Sequence, residues 1–406
     1  MRLYDVAVIG AGPVGSHTAG RLAAMGHGVV VVEARNSLTD PVCCTGLVGR
    51  ECVTSFAIEE DIVLRWVRSA RVYSPSGKSL KLWRSGPQAA VVDRVSLNVS
   101  MVGRAQGRGV RYELGARVRD IEVDSDRVVI RASRRDVALD LEARVVVLAN
   151  GFNPGLTDRL GLGRVGDFVT GVQAEVTAPG VDEVEVYLGG EVAPSFFAWL
   201  VPTSSGMGLV GLLSRRSPET YIRKLLSSLA AQGKIVSADV EVMHGGIPLK
   251  PLPKTCGERL LVVGTAAGQV KPTTGGGIHY GLLCANIAAD HLHRSLAADN
   301  LSARNLAGYQ REWRQRLGRE LRAGYWARKV YERLSDGQID RLFDMAASAG
   351  ILDALLGDED LSFDWHGGVV SRLLSYDVFR RVIGSMGLPS RLLARFPGSG
   401  QPAGCG

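Results

Sequence analysis

The residues with the clearest chemical signature lie at the start of the chain, where an apolar stretch, Val6 to Ile9, runs straight into Gly10-Ala11-Gly12-Pro13-Val14-Gly15. Each glycine has its own task in such a turn. Gly10 permits the sharp exit from a strand, Gly12 lets backbone approach a pyrophosphate with no Cβ in between, and Gly15 lets the following helix pack closely on its sheet. The helix start then presents free N–H groups and a positive dipole end to an anion. At the end of the run Val29–Val32 stands Glu33, whose carboxylate is placed to accept hydrogen bonds from both hydroxyls of a ribose and to repel a 2′-phosphate. Strand, turn, helix, strand and acid together predict a dinucleotide-binding βαβ unit.

A second glycine-rich stretch, Gly264-Thr265-Ala266-Ala267-Gly268, continues to Gly275-Gly276-Gly277-Ile278-His279-Tyr280. It follows the buried strand Leu260 to Val263 and opens a helix expected from about Gly276 to Ala298. Two glycine turns this far apart in sequence suit a long dinucleotide held at both ends, and FAD has that shape. Backbone N–H groups from Gly276 to Ile278, at the start of that helix, are free to face an anionic group. Ala149-Asn150-Gly151 is a third turn that brings backbone near a ligand. In Phe196-Phe197-Ala198-Trp199-Leu200-Val201-Pro202, Phe197 and Trp199 share one face of a strand, which makes them either an ordinary aromatic core pair or an apolar wall for a ligand. His244, His279 and His291 build no triad and a lone His is commonly structural; His279, following the second turn, is the candidate for touching substrate.

These groups need positioning elements, and the composition supplies a core for them: 46% of the 406 residues are hydrophobic and 22% charged, ordinary for a soluble globular chain. Strand-like stretches recur at Val110–Leu114, Val128–Ala132 and Val145–Leu148, and residues 165 to 248 alternate apolar and polar in the manner of an antiparallel sheet. The expected fold is therefore α/β, a Rossmann-like domain (1–165 and 249–300) with an inserted antiparallel β-sheet substrate domain (166–248), a helical C-terminal region (301–396) and a disordered tail (397–406). Six cysteines without a CxxC pair argue against a zinc site or a disulfide framework, and no metal is expected. The absence of a charged leader with an apolar stretch, and of any long apolar run, predicts a cytoplasmic protein. Between Arg304 and Arg333 nine Lys/Arg face three Glu, while Leu306, Tyr309, Trp313, Leu317, Leu321 and Tyr325 recur at helical spacing, giving an amphipathic helix with a basic face. That face is either simply solvated or attracted to a membrane surface or an acidic redox partner; nucleic acid fits poorly, since no reading motif accompanies it.

With these motifs in hand, residues 1 to 330 resemble the geranylgeranyl reductase family, within the FAD proteins related to para-hydroxybenzoate hydroxylase. The likeness rests on the first βαβ unit, Pro41-Val42-Cys43-Cys44-Thr45-Gly46-Leu47, the Asp93-Arg94 turn, Ala193 to Pro202, and Gly264 to Tyr280. The resemblance implies that Val14, Glu33 and Arg35, with Pro13 and Ala34 in the same turns, meet the ADP half of FAD. It places Arg94 toward the flavin linker, Val118 at the adenine, and Cys44, Thr45, Gly46 and Leu47 beside the isoalloxazine. Thr265, Gly268, Gly276, Gly277 and Ile278 fall around the ribityl chain, pyrophosphate and pyrimidine edge, with Ala149 and Gly151 in the adjoining turn. Thr265 and Asn150 stand where the family has Asp, and the cysteine loop is one residue short, which leaves open whether Cys43 or Cys44 faces the flavin.

The activity so implied is reduction of isolated double bonds in geranylgeranyl or related isoprenoid chains, by hydride from reduced FAD, with Cys44, His279, another side chain or water as proton donor and NAD(P)H or ferredoxin as external electron source. A flavin monooxygenase, a membrane-associated electron-transfer flavoprotein acting on quinone, and a non-catalytic lipid-binding module are the alternatives.

Overall fold

The computed structural model describes residues 3–348, 356–358 and 362–368, and the chain divides into two compact units. The first comprises Met1–Val42, Asp93–Phe168 and Gly246–Gly318. Its sheet runs in the order Cys256–Gly257, Leu260–Val262, Val137–Leu148, Leu3–Ile9, Val29–Val32, Arg111–Glu113. From Leu260–Val262 to Arg111–Glu113 every pairing is parallel. A parallel strand covered on both faces needs apolar side chains throughout, and the four valines of Val29–Val32 are all buried. The long strand Val137–Leu148 also pairs antiparallel with Val128–Arg134, which in turn pairs with Arg117–Val123. Helix Pro13–Ala24 packs against both Arg94–Gln106 and Ile278–Ala297; Arg94–Gln106 is opened by the Asp93 carboxylate, which accepts the Ser96 N–H at 2.5 Å, an N-cap.

One register decides where chemistry can happen. Ile9 lies level with both Val32 and Leu148, and Leu148 with Val262, so four parallel strands end in one row. Ligands of open α/β sheets bind outside the carboxyl ends of such strands. The residues leaving that row are Gly10, Glu33, Ala149 and Val263.

The second unit comprises Cys43–Val92, Val169–Gly245 and the described residues from Arg319 onward. Its larger sheet runs Met243–Pro248, Phe168–Thr177, Met207–Ser214, Phe197–Pro202, Val184–Leu188, Ser69–Tyr73, Ser79–Trp83. The expected antiparallel strands are there, with helix Pro218–Ala231 burying Ile222, Leu225, Leu226 and Leu229. Residues 43–92, which the sequence reading left with the nucleotide unit, join this one, because Ser69–Tyr73 pairs in parallel with Val184–Leu188. No local pattern announces a pairing between segments over a hundred residues apart. Leu47–Gly49, Ala89–Val92 and Val63–Val67 form a small third sheet. Beyond residue 301 the helices Ala303–Tyr331 and Asp336–Ser348 are present; most of the remaining expected helical region, and the tail from Pro397, lie outside the described residues.

Candidate functional site

A cavity of about 510 Å³ opens in the first unit at the row of strand ends. Gly10, Gly12, Pro13, Val14, Glu33, Ala34, Arg35, Val118, Ala149, Gly151 and Thr265 line it, brought together from four turns and the strand Arg117–Val123. Asn150, Phe152, Asn153 and Leu156 line it too; only the nearby Ala149-Asn150-Gly151 turn signalled them. Gly15 works from beneath, since a Cβ there would collide with the Gly10 carbonyl oxygen. Gly10 itself has φ +108°, and a Cβ on it would sit 2.5 Å from the Ala149 oxygen. Gly12 differs: nothing lies within 4 Å of where its Cβ would be, and its backbone is extended at φ −67°. Its missing side chain leaves open space beside the N-terminus of helix Pro13–Ala24, where an anionic group would meet free N–H groups.

Glu33 is held firmly for an acceptor's role. Its Oε2 accepts the Ala11 N–H at 2.7 Å, and its Oε1 accepts the Arg35 backbone N–H at 2.9 Å. The first of these ties the acid directly to the glycine turn; Oε1 also accepts the Arg35 Nε–H at 3.3 Å in an ion pair, so it is Oε2 that keeps capacity for a further donor. The residues present therefore fit a dinucleotide: open space at Gly12 beside a helix N-terminus, and a fixed carboxylate lining the same cavity.

Other candidates of this unit lie off the cavity's lining. Gly268 has φ +70°, and a Cβ there would run into the Lys250 oxygen. Gly276 precedes Gly277, which N-caps the helix Ile278–Ala297; a Cβ on Gly277 would lie 3.4 Å from Thr265 Oγ1, so the second turn folds back toward the cavity's edge. Arg94 opens its helix and reaches Asn98 at 3.4 Å. His279 is only 2% exposed in the first helical turn after Gly277.

Phe197, Trp199 and the cysteine loop belong to the second unit. Val186, Trp199, Gly211 and Gln173 are level neighbours across four adjacent strands, and level residues share a sheet face. A Cβ on Gly211 would collide with the Trp199 ring, so the glycine lets the indole lie down across the sheet, its ring 5.8 Å from that of Phe197. Thr45 donates to Gln173 Oε1 at 2.7 Å, which pins the cysteine loop to the same face. Gly46 adopts φ +72° and its carbonyl accepts the Val92 N–H, and Leu47 begins the next strand. Gln173 and Gly211 carried no recognisable sequence signal, because only the register gives them their neighbours.

Both cysteines of the loop are partly buried. The Cys43 thiol lies within weak donor range of the Met243 and Gly171 carbonyls, at 3.6 and 3.9 Å, and burial, with a smaller contribution from Cys44, pushes its pKa up to about 11. It is a thiol anchored inward at neutral pH. At pH 8 about one Cys43 in a thousand is thiolate, so peptide mapping should show iodoacetamide labelling it slowly, with the rate climbing until pH approaches 11. Labelling at the rate of an unfolded peptide cysteine would contradict the buried, anchored geometry.

The fold and cavity are those of a dinucleotide-binding α/β protein. The chain belongs to the lycopene cyclase protein family, whose model matches residues 5–346. The likeness to geranylgeranyl reductases is met among its relatives: digeranylgeranylglycerophospholipid reductase 2 of Methanopyrus kandleri is 29% identical over 88% of this chain and 93% of its own. A geranylgeranyl bacteriochlorophyll reductase-like protein from Thermoplasma acidophilum shares the fold at a TM-score of 0.83, with 21% identity, covering 95% of this chain and all of that one (100%). A halogenase solved with phloroglucinol and FAD aligns at 0.67, with 15% identity over 97% of this chain and 96% of its own. Among the described residues no helix is long and apolar enough to cross a membrane.

Proposed function

We infer that the protein is an FAD-dependent oxidoreductase that saturates isolated double bonds of geranylgeranyl or related isoprenoid chains. The observation that carries the cofactor is the cavity at the strand ends, with its open Gly12 gap and the Glu33 carboxylate tied to the same turn. Relatives named as reductases of geranylgeranyl lipids supply the substrate class. FAD, when bound, supplies the hydride for one alkene carbon. Glu33 accepts the ribose hydroxyls, and Gly12 with the following helix start admits the pyrophosphate. Phe197 and Trp199 offer the flat apolar surface that a prenyl chain needs and keep water from it. Cys44 is the better proton donor of the pair, since Cys43 is turned toward the Met243 and Gly171 carbonyls. NAD(P)H or ferredoxin is the expected electron source.

The test is direct: purified protein should carry non-covalent FAD, visible in its absorption spectrum, and under chemically reduced flavin should add pairs of hydrogens to a prenyl lipid by mass. Colourless protein that cannot be reconstituted would overturn the cofactor assignment. Rapid reduction of a soluble quinone without any saturated prenyl product would favour electron transfer instead.

Thr265 offers a graded check. It lines the cavity, and Thr265→Asp should tighten FAD by about 1 kcal/mol if its side chain receives a ribityl hydroxyl, because a charged acceptor roughly doubles such a bond. Titration of apoprotein with FAD measures it; unchanged or weaker binding would mean that the ribityl chain is held by other groups.

A further inference from the structure

The helix Ala303–Tyr331 settles one of the questions its sequence raises. Its apolar face is fully used: Leu306, Tyr309, Trp313 and Leu317 are at most 1% exposed. Trp313 Nε1 donates to Thr255 Oγ1 at 2.9 Å, and the Tyr309 hydroxyl to the Val262 carbonyl at 2.9 Å. This face cannot insert into anything else. Arg304, Arg311, Arg314, Arg316, Arg319 and Arg322 are all exposed; Arg314 and Arg316 flank the apolar face, and the others lie on the side away from it. Arg304, Arg311 and Arg322, spaced by whole turns, fall on one line, and from the first to the last the stripe is about 27 Å long.

Its charge is not cancelled locally. Glu320 spends its carboxylate on the backbone N–H groups of His366 and Gly367, and Glu312 lies 4.0 Å from Arg294. Arg314 donates to the Pro253 carbonyl. The other five arginines form no ion pair among the described residues. The residues outside the described ones beyond Ser348, 349–355, 359–361 and 369–406, hold five Arg against four acids, so they bring no net negative charge to cancel this face. A straight row of guanidinium groups matches a plane of phosphates, and Arg, unlike Lys, holds a phosphate by two parallel N–H donors.

We propose that the exposed face of Ala303–Tyr331 is an electrostatic docking surface for an anionic phospholipid bilayer, holding the protein on headgroup phosphates with no apolar insertion. This is attachment of the peripheral kind, and it differs from an interfacial amphipathic helix, whose apolar face would have to be free to enter the lipid. Each basic residue near an anionic surface contributes about a fivefold increase in affinity, and the attraction fades as salt shortens the Debye length.

Co-sedimentation of the full-length protein with vesicles tests it. Vesicles with about 30% phosphatidylglycerol in phosphatidylcholine should bind the protein at low salt, pure phosphatidylcholine should not, and about 0.5 M NaCl should release it. The triple variant Arg304→Gln/Arg311→Gln/Arg322→Gln should bind roughly 100-fold more weakly with an unchanged melting temperature, since the three are exposed. The matching triple Arg→Lys variant should keep most of the binding. Equal binding to neutral vesicles, retention in high salt, a triple Gln variant that binds like the parent, or tight binding of duplex DNA with vesicles ignored would each overturn the proposal.

Discussion

Gly12→Val is expected to give a folded protein that has lost its flavin. The position is extended backbone at φ −67°, which any residue adopts, and nothing lies within 4 Å of the new Cβ. Gly12 is the N-cap of its helix and Val is a poor one, but no side-chain cap bond is lost, so folding should be affected by no more than about 1 kcal/mol. The same open space is where the pyrophosphate must approach the helix start, so branched methyl groups there occupy the ligand's volume and hold it away from the N–H donors. A loss of at least about 100-fold in FAD affinity follows, ~2.7 kcal/mol or more, read by titration of the apoprotein. Gly10→Ala is the contrasting control. Its φ of +108° and the 2.5 Å approach to the Ala149 oxygen make it a folding defect, seen first as a lowered melting temperature. A Gly12→Val protein that stays yellow would place the pyrophosphate elsewhere and dissolve the site.

Trp199→Ala carries the second large effect, on substrate. The indole lies half-buried over Gly211 and packs beside Val91, Val184 and Val201, so truncation removes a broad apolar plate from the face that also carries the cysteine loop. If that plate holds the prenyl chain, alkene saturation should fall by roughly 2 to 4 kcal/mol in transition-state stabilisation, about 30- to 1,000-fold, while flavin content is unchanged. Trp199→Phe should recover a large part. The readout is the mass shift of a prenyl lipid under chemically reduced flavin, followed beside the melting temperature. A variant that melts early but hydrogenates as fast as the parent would make Trp199 a core residue and nothing more.

The sequence by itself determined what is local. The turn glycines were legible because backbone approach and positive φ leave few alternatives, and Val29–Val32 with Glu33 because a doubly covered parallel strand must be apolar until it ends. The alternation of Phe197 with Trp199 and the stripe from Leu306 to Tyr325 were legible because side-chain period follows directly from strand and helix geometry. Tertiary structure alone decided everything that depends on register between distant strands. Ile9, Val32, Leu148 and Val262 end level, and that row gathers Asn150, Phe152 and Asn153 into the same cavity as Gly12. The level row of Val186, Trp199, Gly211 and Gln173 gives the indole its resting place and anchors Thr45. It also fell to packing to set the Cys43 thiol against the Met243 carbonyl, and to spend the helix's apolar face inside the protein. Backbone hydrogen bonds between strands carry no residue code, so which segments lie level is fixed only when the whole set of buried side chains finds a packing that satisfies them together.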